Sequence, residues 1–164
     1  NKVIPDIRVG HGFDVHSFAP DRKLILGGVE IEYESGLAGH SDADVLTHAL
    51  CDALLGAAGL GDIGKHFPDT DQKFKDIYSI HLLEEVIKDL EKLDFSIGNI
   101  DITVICQAPK LAGYMEKMKE VLAQACKTES SRINIKATTT EKLGYLGRKE
   151  GIASHAVITL QKKV

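Results

Sequence analysis

Between residues 42 and about 58, the side chains Val45, Leu46, Ala49, Leu50, Ala53, Leu54 and Ala57 recur at helical spacing. A helix with such an apolar side must lie on another layer. The flanking segments supply that layer, because they read as extended chain. "DIRVGHGFDVHSF" reads as a strand running into a functional loop, and "KLILGGVEIEY" as a hairpin turning at Gly27-Gly28. Ser41 or Asp42 is the expected N-cap of the helix. Further on, residues 76 to 93 and 111 to 126 carry two more helical patterns. "SIGNIDITVICQ", "INIKATTT" and "GIASHAVITLQ" read as strands, and "GLGDIGKHFPDTD" as a loop stopped by Pro68. This mixture predicts an α+β fold, a two-layer α/β arrangement in which helices pack on one face of a mixed β-sheet.

The 164 residues suit one domain over 1–164, with 43% apolar and 27% charged residues. No apolar run reaches the roughly 18 residues of a membrane span. A net charge of −4 argues against a nucleic-acid partner, which leaves a basic footprint. Cys51, Cys106 and Cys126 are odd in number and widely spaced, which fits free thiols in a reducing compartment. No leader pattern is visible ahead of the first strand. The bacterial cytoplasm is the expected location, with a plastid as the alternative.

Four segments could carry chemistry. Asp14 and His16 lie two apart, so in an extended chain they point to the same side. His48 falls nearly opposite the apolar residues of its helix, in line with Ser41, Asp44 and Asp52. Two histidines and a carboxylate with a fourth position open is a pattern of catalytic zinc. A strand edge and a solvated helix face account for the same residues equally well. Asp62, Asp69 and Asp71 stand among glycines in a loop that could accept hydrogen bonds from a polyol, or simply turn. Lys136, Thr138, Thr139, Thr140, Glu141 and Lys142 could surround a phosphate and a divalent cation, although Thr138 and Glu141 also have capping-box spacing. Gly10 and Gly12 lack the third glycine of a dinucleotide fingerprint, and no Walker motif is present.

Together, "VGHGFDVHSF", "GGVEI", "HSDADVLTHALCDALLGAAGLGDIGKHFPDTD", "CQAPK" and "KATTTEKLGYLGRKEGIA" closely resemble the 2-C-methyl-D-erythritol 2,4-cyclodiphosphate synthases of the non-mevalonate isoprenoid pathway. The match runs from about Arg8 to the last strand and leaves "NKVIPDI" outside. The resemblance implies a reaction in which the 2-phosphate of 4-diphosphocytidyl-2-C-methyl-D-erythritol 2-phosphate attacks the β-phosphorus of the diphosphate. CMP leaves and a cyclic diphosphate forms.

The resemblance also implies roles. Zn²⁺ or another divalent cation would lie on Asp14, His16 and His48, and Mg²⁺ or Mn²⁺ would bridge the substrate phosphates beside Glu141. His40 and Thr139 match catalytic positions. Ser41, Asp62, Gly64, Phe67 and Asp69 match the substrate-binding segment. Cys106, Pro109, Lys110, Leu111, Thr138 and Thr139 match the nucleotide pocket, where Cys106 replaces a small residue and offers a thiol. Asp52 is expected to orient a metal ligand, from its place on the His48 stripe. Family members are homotrimers with active sites between subunits. Phe13, Arg148 and Glu150 match positions near a central cavity that would hold an isoprenoid diphosphate, unless Arg148 and Glu150 form only an ion pair. Two other activities share these residues: a zinc phosphate-ester hydrolase that uses water, and a binding protein without turnover.

Overall fold

The first strand of the computed structural model, β1 (Ile7–Ala19), runs straight through "HGFDVHSF". Asp14 and His16 therefore lie on a strand and not on a loop beyond it. The structure describes residues 4–163. β2 (Leu24–Leu26) and β3 (Val29–Ile31) form the expected hairpin, with Gly27 and Gly28 both at positive φ, as a type I′ turn requires. A two-residue strand, β4 (Gly36–Leu37), follows. The helices are α1 (Val45–Ala58), a short α2 (Ile63–His66), α3 (Ser79–Lys92), α4 (Met115–Cys126) and a short α5 (Gly144–Gly147). The remaining strands are β5 (Phe95–Ile105), β6 (Ile133–Thr138) and β7 (Gly151–Lys162).

The main sheet has five strands in the order β4-β1-β7-β5-β6. β1, β7 and β5 pair antiparallel, and β6 joins β5 in parallel, so the sheet is mixed as expected. Alternation separates its faces. On β7, Ile152, Ala156, Ile158 and Leu160 are fully buried, while Val157 is exposed. On β1, Gly10 and Gly12 face inward and Val9, His11, Phe13 and Val15 face outward.

Gly10 and Gly12 bring α1 down onto β1. A Cβ on Gly12 would stand 1.9 Å from the Ala49 carbonyl oxygen, and one on Gly10 would stand 1.9 Å from that of Ala53. These glycines thus serve backbone-to-backbone packing, which accounts for a GxG without a phosphate.

Two expectations for α1 need correction. Its N-cap is Asp44 and not Ser41 or Asp42; the Asp44 carboxylate accepts from Thr47 N. Nor is the helix one-sided. Val45, Leu46, Thr47, Ala49, Leu50, Cys51, Ala53, Leu54, Leu55 and Ala57 are all buried, because α1 lies between the sheet and α3. Asp44 is fully buried as well, held by four donors: Thr47 N, Thr47 Oγ1, Gly27 N and Gly28 N. The supposed polar stripe is a buried cap followed by His48 at a cleft and Asp52 against the start of α2.

Candidate active site

A cleft of about 400 Å³ opens where β1, the 38–43 segment, the start of α1 and the 62–74 segment meet. Asp14 and His16 project from β1, and His48 comes down from α1. His40 and Ser41 line the cleft on one side; Gly64, Phe67 and Asp69 line it on another. One cleft therefore gathers eight of the residues singled out in the sequence. Gly39, Ile63, Phe74 and Leu82 also line it and had no signal of their own; Pro68 lines it too and read only as a loop stop.

One ligand atom from each of Asp14, His16 and His48 lies within 4.8 Å of the others. Asp14 Oδ2 is 2.9 Å from His16 Nε2 and 3.2 Å from His48 Nδ1. Burial pushes the Asp14 carboxyl up, but the two imidazoles beside it, when they are protonated toward it, outweigh burial and hold it at about 2. Burial lowers His16 and Asp14 raises it, and the net direction is upward. On the far side of its ring, His16 Nδ1 lies 2.7 Å from the Ala38 carbonyl and donates to it. His16 Nε2 is thereby left with its lone pair; it is buried, and although Asp14 Oδ2 stands 2.9 Å away no hydrogen bond joins the two. An orphaned imidazole nitrogen, a second imidazole and an ionised carboxylate at one point are the donor set that suits Zn²⁺. The residues fit a metal.

The loop carrying His40 and Ser41 is tied down by Arg22, which donates to Gly39 O at 2.9 Å and Ser41 O at 2.6 Å. His40 Nε2 lies 2.8 Å from Asp71 O. Asp62 does not line the cleft among the described residues. It caps α2, accepting from Lys65 N at 2.9 Å, so the expected loop contains a turn of helix. Asp52 does not orient His48. Its carboxylate accepts from Ile63 N at 3.0 Å and anchors α2 instead. The neighbours of His48 Nε2 are Ser79 Oγ at 2.8 Å and Ser41 Oγ at 3.2 Å. Ser79 escaped sequence reading because only the fold brings the start of α3 beside α1.

The second group of expected residues assembles elsewhere. Cys106 N donates to Thr138 O at 2.9 Å, and Lys142 N to the Gln107 side chain at 3.2 Å. The 106–111 and 138–142 segments thus lie side by side at the ends of β5 and β6. Pro109, Lys110, Thr138, Thr139 and Glu141 belong to this surface, where Thr138, Thr139, Glu141 and Lys110 are exposed. None of them lines the metal-competent cleft within the described chain.

Leu111 is buried, and its carbonyl accepts from Tyr114 N at 2.9 Å. Cys106 is no reactive thiol: burial pushes it up to about 11, and its Sγ is 3.0 Å from Ala108 O. The capping box does not form. Thr139 Oγ1 accepts from Glu141 N, while Glu141 and Lys142 turn through positive φ. Lys136 is paired with Asp101 at 2.9 Å and is not free for phosphate.

Phe13 is 43% exposed on the uncovered sheet face and packs against His155, with ring centroids 4.8 Å apart. Arg148 Nε and Glu150 Oε2 form an exposed ion pair at 2.6 Å.

A two-layer α+β domain with an Asp-His-His group in a cleft is a metal-dependent enzyme scaffold. The comparisons narrow the class. The model of the YgbB family matches residues 7–161, and the chain belongs to this family. It is 60% identical over 156 residues to 2-C-methyl-D-erythritol 2,4-cyclodiphosphate synthase of Syntrophotalea carbinolica, covering 95% of each chain. It is 65% identical to the bifunctional enzyme IspD/IspF of Desulfotalea psychrophila, covering 95% of this chain and 40% of that one. Among solved structures, IspF of Plasmodium falciparum in complex with CDP superposes with a TM-score of 0.86 at 33% identity, covering 99% of this chain and all of that one. These matches agree with the fold class expected from the sequence.

Proposed function

We infer that the chain is a metal-dependent phosphorus–oxygen lyase of the non-mevalonate pathway. It cyclises 4-diphosphocytidyl-2-C-methyl-D-erythritol 2-phosphate to 2-C-methyl-D-erythritol 2,4-cyclodiphosphate and releases CMP. The observation that carries this reading is the convergence of Asp14, His16 and His48 in the cleft, in a chain 60% identical to a synthase of that name.

Asp14, His16 and His48 would hold Zn²⁺, and Glu141 would hold Mg²⁺ or Mn²⁺. When bound, the cations supply charge stabilisation of the phosphates and a template for in-line displacement. The chain's residues do the rest. The attacking oxygen belongs to the substrate, so no protein nucleophile is needed. The task is to orient two like-charged phosphates as one intramolecular pair. Ser41 and His40 flank the metal group on the tethered 38–43 loop. Gly64, Phe67 and Asp69 form the wall that would receive the methylerythritol hydroxyls, with Asp62 holding that wall by its cap. Thr138 and Thr139 would contact the nucleotide phosphates, and Cys106, Pro109, Lys110 and Leu111 would read cytosine, largely by backbone. The CDP complex of the Plasmodium falciparum relative supports such a nucleotide ligand.

The two groups of residues face different parts of one chain, which supports a homotrimer with active sites between subunits. Phe13, Arg148 and Glu150 would line its central cavity and receive an isoprenoid diphosphate. One such domain spans 1–164. The bacterial sources of the relatives support a bacterial cytoplasm. No described helix is long and apolar enough to cross a membrane.

Phosphorus NMR of the product mixture tests the reading, with the cytidyl substrate, Zn²⁺ and Mg²⁺. Wild type yields a pair of cyclic diphosphate signals plus CMP, and His48→Ala yields neither. Free phosphate or a linear product would indicate the hydrolase; intact substrate with CMP bound would indicate a binding protein.

A further inference from the structure

Ser79 opens α3 and is fully buried. Its backbone N donates to Asp42 Oδ2 at 2.9 Å, and its hydroxyl donates to Asp42 Oδ1. A serine hydroxyl has one proton to give, and here that proton goes to Asp42. Ser79 Oγ stands 2.8 Å from His48 Nε2. Having spent its proton, it can only accept there. His48 must therefore carry its proton on Nε2. Ser41 Oγ, 3.2 Å from the same nitrogen, already accepts from Ala43 N and is the longer contact. The other nitrogen, Nδ1, is left with a lone pair facing Asp14 Oδ2 at 3.2 Å.

We propose that Asp42 and Ser79 are positioning residues: they lock His48 in the Nε2–H tautomer, which turns the Nδ1 lone pair toward the metal. Ala38 O performs the matching service for His16 from the other side of the cleft. Each imidazole thus has its outer nitrogen occupied by an acceptor, and three lone pairs converge with no proton between them. In the neutral imidazoles such an arrangement repels itself until a proton or a metal ion sits among the three atoms. It also ties the start of α3 to the metal group, because Asp42 grips both the backbone and the hydroxyl of Ser79. The inference rests on the metal reading above.

Two measurements test it. The first is the long-range ¹H–¹⁵N spectrum of histidine-labelled, metal-free protein in mildly alkaline solution, where free imidazole is neutral. The wild type should show His48 as the Nε2–H tautomer, and Ser79→Ala should show a mixture. The second is Zn²⁺ affinity by chelator competition. Ser79→Ala should lose on the order of 10–100-fold, the usual effect of removing an acceptor behind a metal-bound histidine. Asp42→Asn leaves one oxygen where Ser79 N and Ser79 Oγ now have one each, so it should weaken the lock, with part of His48 in the other tautomer and a Zn²⁺ affinity between those of wild type and Ser79→Ala. An Nδ1–H tautomer in the wild type, or unchanged affinity in a folded Ser79→Ala, would overturn the proposal. Should Ser79→Ala fail to fold, the wild-type spectrum and Asp42→Asn decide. Wild-type protein that takes up no Zn²⁺ would sink the metal reading itself, and the tautomer spectrum would then judge the relay alone.

Discussion

Asp44 shows how much one side chain can hold. Its carboxylate closes the N-terminus of α1 and the Gly27-Gly28 turn at once, through four donors. Burial and the neighbouring Asp42 push its carboxyl up, so the donors must compensate for an expensive position. Asp44→Ala should lower unfolding free energy by roughly 2–4 kcal/mol in a urea titration, from the lost cap and the stranded amides. Asp101 makes a milder case. Its hydrogen bond from Lys136 holds its carboxyl below the usual value. A lowered carboxylate stabilises the fold above its unfolded pKa, and that contribution fades as pH falls through the folded value. The pair is exposed, so the energy is small. Lys136→Met should raise the Asp101 pKa in an NMR titration, and the stability difference from wild type should vanish in acid. Neither partnership was legible beforehand. Asp44 read as part of a polar stripe and Lys136 as a phosphate ligand, because Gly27 and Gly28 in the one case and Asp101 in the other are distant in the chain and only packing chooses them.

Among the elements, the contact of β1 with α1 governs the rest. Gly12→Ala would drive a Cβ into the Ala49 carbonyl at 1.9 Å. Since backbone must move on both sides, it should cost about 3 kcal/mol and also weaken Zn²⁺ binding, as Asp14 lies two residues on. Gly56→Ala on the exposed side of α1 meets nothing within 4 Å and should stabilise by up to about 1 kcal/mol. Denaturant melts of the two variants check the contrast. Element types were largely readable, since α1, α3 and α4 carry a helical period and the long strands an extended one. α2 and the Asp44 cap were not readable. A four-residue helix leaves no period, and its anchor, Asp52, belongs to a different helix.

At the scale of the molecule, the described residues leave one face of the five-stranded sheet bare, with Val9 67%, Phe13 43%, Val15 39% and Val157 43% exposed. Apolar side chains in that density suit burial against further copies. Light scattering should give three chains per particle, and Val157→Asp should give folded monomers that keep Zn²⁺ but lose turnover. The sequence held both groups of site residues, yet it could not reveal that they stay apart within one chain, because distance between loops is set by the sheet order.

The Asp14, His16 and His48 group also has a mechanical meaning. Two of its members stand on the sheet and the third on the helix above it, so an ion held there is a rivet through both layers. Any agent that binds only the assembled protein adds its binding energy to the fold. At a free Zn²⁺ level about 100 times the dissociation constant, the gain is roughly 2.7 kcal/mol. For a chain of this size that corresponds to a melting point about 5–10 °C higher, which a chelator should erase in a calorimetric scan. On the proposed Zn²⁺ reading, the same rivet would make zinc supply a determinant of how long the folded enzyme lasts.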